Sequence, residues 1–366
     1  MIYFDHAATT QMSAAAIEAY TTVAQHFYAN GESLHRAGNE AGQLVNEARL
    51  SIARRLGIAA EGLIFTSGGT ESNQLGIAAL AQGSAKRELL VSPLEHSSVG
   101  EVLDALARQD GYRIKTLAVD ATGHVTPAML AAALTPDTAL VVVQAVNAIT
   151  GICQDLAGLN QVAQAQGVPL FVDAVQGVAK IDLPLATVAG FSASAHKFNG
   201  PKSCGFLYLS SQVLAKPRFH HVFQQNGYLP GTMDIPGIVS AETAFTAAFA
   251  TQAATFAHLQ TLKQRVLTTL APSIQPVADW AEYPGIIGML LPHTQGQEAA
   301  TAMGQRGLSF STVSACSIRD PRPDNTLMAL GLSADDAAQY IRWSLGAENT
   351  VAEVDQAVAM LNAAYA

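Results

Sequence analysis

What most constrains this chain is an alternation of short apolar runs, each bounded by turn residues, with longer segments of helical period. The runs Gly62–Thr66, Glu88–Ser92, Leu140–Ala145, Leu170–Asp173, Gly190–Ala193 and Gly205–Leu209 are too short for helices and read as strands. Between them, Glu40–Leu56, Asn73–Ala81, Val99–Gln109 and Leu159–Gln166 carry a helical period. Strands alternating with helices make βαβ units, whose crossovers set neighbouring strands parallel and cover both faces of the sheet. The expected fold is therefore α/β and doubly wound, with ligands at the carboxyl ends of the strands.

From about Phe245 the texture changes. A long Ala/Thr/Leu-rich helix leads to an apolar run at Ile286–Leu291, a helix at Gln297–Gln305, a short strand near Leu308–Ser311 and a final helix from Ala352. This α+β layout predicts a smaller domain made of residues 1–11 and 246–366, beside a large domain of residues 12–245. A chain of 366 residues suits that division.

A net charge of −9 with no run of like charges leaves no footprint for nucleic acid or an anionic membrane. No apolar segment is long enough to span a bilayer, and Met1 to His6 lacks a signal-peptide pattern, so a cytoplasmic location is expected. The three cysteines, Cys153, Cys204 and Cys316, are odd in number and widely spaced, which predicts neither a disulfide framework nor a metal site. A small-molecule substrate is left as the expectation.

The residues at strand ends carry the chemistry. Lys197 follows the strand ending at Ala193, where a partly dry, electropositive setting makes an amine a nucleophile toward aldehydes. Asp173 ends another strand and is followed closely by Gln176. Such a carboxylate keeps a pyridine nitrogen protonated, and such an amide hydrogen-bonds a phenolic oxygen. Phe65 to Asn73 runs from a strand through Gly68-Gly69 into a helix, offering free backbone N–H groups to a phosphate. His96 lies just past a strand, where an imidazole can stack on a ring. Each feature alone also fits a plain structural role: a surface lysine, a helix cap, a Gly-Gly turn, a solvated histidine.

Taken together, the motifs resemble the class V aminotransferase superfamily of pyridoxal-phosphate (PLP) enzymes, and within it the NifS/IscS-like cysteine desulfurases. Asp5 to Thr10 is similar to the family's D-x-A-A-T-T, and Asn30 to Gly38 to N-P-S-S-x-H-x-x-G. Phe65 to Ser72 resembles F-T-S-G-A-T-E-S, Glu95-His96 the E-H pair, Asp173 to Gln176 D-A-x-Q, and Ser194 to Lys197 S-G-H-K. The resemblance covers nearly the whole chain and implies the type I PLP-dependent transferase fold, with a large, mostly parallel sheet domain and a smaller α+β C-terminal domain.

By that resemblance Gly69, Thr70, Ser194 and His196 hold the phosphate side of PLP, Asp173 its pyridine nitrogen, and Asn147 and Gln176 its ring oxygen. His96 stacks on the ring, Lys197 carries the cofactor, and Asn147 and Arg342 face the substrate carboxylate. Thr232 matches a threonine that reaches the neighbouring subunit's cofactor, implying a homodimer. Cys316, in Ser314-Ala315-Cys316-Ser317, resembles the cysteine that accepts sulfur as a persulfide. The implied reaction converts L-cysteine to L-alanine, with Lys197 as base, His96 as proton shuttle and Cys316 as sulfur acceptor. The sulfur then passes to an acceptor protein for assembly of iron–sulfur clusters or another sulfur-containing cofactor.

Three stretches depart from the family pattern: Asn147 to Gly151 where N-N-E-I-G is usual, Val222 to Leu229 where a Gly- and Arg-rich stretch is usual, and Ser203 in place of a glycine. They motivate two competing readings. One is a selenocysteine lyase, sulfinate lyase or other β-eliminating PLP enzyme; the other is a non-catalytic scaffold that partners sulfur-transfer proteins.

Overall fold

The computed structural model describes residues 1–219, 221–313 and 324–366. Its centre is a seven-stranded sheet. In spatial order the strands are Leu63–Thr66, Gly205–Leu209, Gly190–Ser194, Leu170–Asp173, Thr138–Gln144, Glu88–Val91 and Arg113–Thr116. All neighbours are parallel except Gly205–Leu209, which runs antiparallel to both strands beside it. Every residue of the strand Thr138–Gln144 is buried, as befits a parallel strand covered on both faces.

Six of the seven strands lie where the sequence pattern puts them, two with the same bounds and four with one or both ends shifted by one or two residues. The seventh, Arg113–Thr116, has no apolar run, because it forms the exposed edge of the sheet. Its charged residues suit an edge that must not pair with another chain.

Helices cover both faces. Gly69–Gln82 and Ser97–Asp110 pack on one side, where Ile77, Leu80, Val99 and Leu103 share a core with Leu89 and Val142. The 35-residue helix Ile235–Thr269 crosses the other side and runs unbroken through residue 245. Its central Phe245, fully buried, meets Phe198 and Phe206 edge-on.

The C-terminal part holds a three-stranded antiparallel sheet with Ile286–Leu290 between Gln275–Val277 and Tyr340–Ser344. The first residues of the chain are stitched into this region. Ile2–Tyr3 pairs in parallel with Leu308–Ser309, and the Ser344 N–H donates to the Phe4 carbonyl at 2.7 Å. Phe4, fully buried, packs on Trp343 with ring centroids 5.2 Å apart. Burying such a side chain anchors its segment by about 3 kcal/mol or more. The segment that follows, Asp5 to Thr10, is thereby laid across the carboxyl ends of the central strands.

Candidate active site

A cavity of about 240 Å³ opens where the strands Leu170–Asp173 and Gly190–Ser194 end and the helix Gly69–Gln82 begins. Of the residues expected from the sequence, Gly69, Thr70, His96, Asp173, Gln176, Ser194, His196, Lys197 and Arg342 line it. Asn147 and Thr232 do not, and Cys316 lies outside the described residues.

Asp173 closes a strand whose four residues are all buried, so its carboxylate is delivered to the sheet's ligand edge. The Val175 N–H donates to its Oδ1 at 3.1 Å and Asn73 Nδ2 to its Oδ2 at 2.8 Å. Lys197 ends the single turn that follows the next strand. Its Nζ donates to the carbonyls of Ala7 and Ala8 at 2.6 and 2.8 Å, so the N-terminal segment forms a wall of the lysine's site.

Gln176 is fixed from both ends. Its Nε2 donates to the Ala7 carbonyl at 2.8 Å, and its Oε1 accepts from Lys180 Nζ at 2.7 Å. One amide hydrogen is left for the cavity. Burial, then the charges of Lys197 and Arg342, press the Lys180 ammonium down to a pKa of about 7. His196 pairs through Nδ1 with Thr9 Oγ1 at 3.1 Å. Burial first, then Lys197, Lys180 and Lys202, hold its pKa down to about 4, so its ring is neutral. The Glu95 carboxyl beside these groups accepts the Gln144 N–H at 2.6 Å. Burial and the nearby Asp173 charge raise it well above the ordinary carboxylate range.

The helix Gly69–Gln82 starts with Gly68, at φ +140°, and no side chain caps it. Only glycine takes that backbone without strain. A Cβ on Gly69 would fall 2.5 Å from Val175 Cγ2, so the approach there is as close as it can be. Thr9, Ser67, Glu71 and Lys202 surround an adjoining opening that shares Gly69, Thr70, Ser194 and His196 with the cavity. Ser203 stands at φ +56°, so the chain turns there as a glycine would and the serine bears the strain.

Arg342 reaches the cavity from the strand Tyr340–Ser344. Its Nη1 donates to the Ala148 carbonyl at 2.9 Å and its Nη2 to Asp5 Oδ1 at 3.0 Å, while Nε is buried with no partner among the described residues. Its side chain is only 2% exposed, so Asp5 holds a guanidinium that water cannot stabilise.

Asn147 is spent on its own loop. Its Nδ2 donates to the Leu94 carbonyl and Thr326 Oγ1, and its Oδ1 accepts from the N–H groups of Ile149 and Thr150 and from Thr150 Oγ1. Thr232 is exposed in the loop before the long helix. Sequence reasoning passed over Asn73, Ser98, Asp5 and Lys180. Asp5 and Asn73 each belong to a quoted motif stretch, and Lys180 follows Gln176 by four residues, but none has an apolar period or spacing that marks it.

These residues fit pyridoxal phosphate on the chain's own evidence. The uncapped helix start, with Gly68 in a backbone that glycine alone takes without strain and hydroxyls around it, suits the phosphate. Asp173 suits a protonated ring nitrogen, and Lys197 suits an aldehyde.

The aminotransferase class-V family model matches residues 2–357. An "IscS-like cysteine desulfurase" of Mycobacterium tuberculosis (strain ATCC 25618 / H37Rv) is 32% identical, covering 100% of this chain and 96% of its own. Among solved structures, a "NIFS-LIKE PROTEIN" superposes with a TM-score of 0.91 at 28% identity, covering 99% of this chain and 98% of its own. Another, "SspA in complex with cysteine", superposes with a TM-score of 0.83 at 26% identity, covering 96% and 100%. Fold and site together define a PLP-dependent enzyme of the type I fold. The chain belongs to the aminotransferase class-V family.

Proposed function

We propose that this protein is a PLP-dependent cysteine desulfurase that converts L-cysteine to L-alanine and passes the sulfur to Cys316 as a persulfide. The observation that carries the reading is the convergence of Lys197, Asp173 and Arg342, brought from three separate stretches, on one cavity. A base, a partner for a ring nitrogen and a carboxylate receptor are what an α-amino acid reaction on PLP requires. The neighbour in complex with cysteine and the relative named IscS-like cysteine desulfurase favour cysteine as that amino acid.

Bound PLP supplies an electron sink for bonds at the amino acid's Cα. The chain's residues do the rest. Arg342 binds the substrate carboxylate with donors that Asp5 and Ala148 hold in place. Lys197 Nζ takes the Cα proton, and the Ala7 and Ala8 carbonyls orient it. The Cys316 thiolate attacks the substrate sulfur; an S–S bond forms, the Cβ–S bond breaks with its electron pair left on Cβ, and alanine results once Cβ gains a proton and Lys197 returns one to Cα. Phosphate binding falls to Gly69, Thr70, Ser194 and His196, and Thr232, exposed in a single chain, serves the partner's site in a homodimer. A sulfur-acceptor protein removes the persulfide sulfur.

The test is to incubate the PLP-loaded protein with L-cysteine and quantify alanine and sulfide, beside Cys316→Ala and Lys197→Ala. Alanine formation lost in both variants supports the reading. Turnover of cysteine that survives Cys316→Ala transfers the function to direct elimination, and no alanine from the intact protein overturns it.

A further inference from the structure

Two buried polar side chains on the cavity wall have no place in that scheme. Asn73, in the helix Gly69–Gln82, is 1% exposed, and Ser98, in the helix Ser97–Asp110, is 3% exposed. Both line the cavity, and together they connect Asp173 to His96.

The direction of each hydrogen bond follows from chemistry. The Asp173 carboxylate accepts, so the atom of Asn73 lying 2.8 Å from it is the amide nitrogen; the oxygen there would set two acceptors against each other. The second hydrogen of that nitrogen goes to Ser98 Oγ at 3.0 Å. Having accepted from the amide, Ser98 has its own hydrogen free for His96 Nδ1 at 2.9 Å. The Ser98 backbone N–H, a donor in any state, points to the same Nδ1 at 3.2 Å. A ring nitrogen that accepts two hydrogen bonds carries no proton. The proton of His96 is therefore on Nε2, the nitrogen left for the cavity.

The Asp173 carboxylate fixes which way this amide points, and the second amide hydrogen carries that fixed direction on to Ser98 and so to His96. Asn73 Oδ1 is buried and has no hydrogen-bond partner among the described residues.

We infer that Asn73 and Ser98 are positioning residues that fix the tautomer of His96, so that it meets the substrate as a neutral hydrogen-bond donor through Nε2–H and not as a base. To take up a proton, His96 would have to place it on Nδ1, facing the Ser98 N–H and breaking the cap of its own helix. Burial opposes the imidazolium as well and, with the Lys197 charge, outweighs the pull of Asp173, Glu101 and Asp324. Proton removal is left to Lys197. The Nε2–H instead stabilises electron density on the substrate sulfur or carboxylate, a preorganised donor in a dry site. The substrate half of this inference rests on the proposed desulfurase reading; the tautomer does not.

Histidine-¹⁵N-labelled protein, loaded with PLP and free of substrate, gives the tautomer directly by long-range ¹H–¹⁵N correlation, with His96→Gln assigning the signal. The expected signal is an unprotonated Nδ1 and a protonated Nε2. Asn73→Ala and Ser98→Ala should mix the tautomers and lower kcat for alanine formation roughly tenfold, leaving KM for cysteine within about twofold, because neither residue is assigned a substrate contact. Ser98→Thr, which keeps the hydroxyl, should restore both. A protonated Nδ1 in the parent protein overturns the inference whatever the variants do, and so does an unchanged tautomer and kcat in the two alanine variants. Absence of alanine from the parent protein would overturn the desulfurase reading while leaving the tautomer result standing.

Discussion

The two ends of the cavity are built differently. The cofactor end stands on strand termini of one sheet and the start of one helix: Gly69, Thr70, Asp173, Ser194 and Lys197 all lie within a few residues of a regular element. The substrate end is assembled from distant parts of the chain. Arg342 depends on Asp5, 337 residues away, and on the Ala148 carbonyl, and the Asn147 loop is tied to Thr326. The first is positioned by backbone geometry, the second by side-chain pairs across the fold. The cofactor end should therefore tolerate little change in backbone and much in its neighbours, and the substrate end the reverse.

Lys197, between the two, gives the largest effect. Lys197→Ala should lower alanine release at saturating cysteine by about 10³-fold or more, and Lys197→Arg should not rescue it, since a guanidinium is no base. Next is Arg342→Ala, which leaves the Asp5 carboxylate without its cation. Removing the arginine from this part-buried pair, with Asp5 19% exposed, costs less than the ~3–5 kcal/mol of a fully buried one, read as a fall in the urea midpoint, and kcat/KM for cysteine should drop while PLP affinity holds. Loss of PLP affinity in this variant would break the comparison, because the two ends would then not be separable.

Lys180 sharpens it through pH. In the PLP-free protein its pKa lies at about 7, below its unfolded value, so the folded state binds fewer protons between the two. The associated stability is present above the ordinary lysine range and is lost as pH falls through about 7, with a slope of up to about 1.4 kcal/mol per pH unit. Lys180→Met should remove that slope from urea midpoints measured across the alkaline range. Gly68→Ala, at φ +140°, should weaken PLP binding about tenfold in a fluorescence titration and leave KM for cysteine unchanged. The smallest effect is Ser203→Gly, which relieves a left-handed serine and should raise stability by about 0.5–1 kcal/mol, visible as a small increase in Tm.

Legibility in the sequence divides along the same line. Asp173 and Lys197 were readable because a buried apolar run that stops announces a strand end, and a polar residue just beyond it is exposed to whatever the sheet binds. Gly68 was readable because only glycine takes its backbone, φ +140°, without strain. Asp5 was visible only as a motif letter, since no local pattern pairs it with an arginine near the far end of the chain. Asn147 was expected on the cofactor oxygen and the substrate; in the fold its polar atoms are taken up by Leu94, Ile149, Thr150 and Thr326. The edge strand Arg113–Thr116 was missed because an exposed edge needs no apolar pattern.

By itself, then, the sequence determined the α/β class, the strand-end lysine and aspartate and the glycine-built helix start, all of which follow from periodicity and backbone sterics over a few residues. Tertiary structure alone decided that Asp5 holds Arg342, that Lys180 orients Gln176, and that Asn73 and Ser98 link Asp173 to His96. Hydrogen bonds and ion pairs act over about 3 Å of space and carry no record of the sequence distance they span.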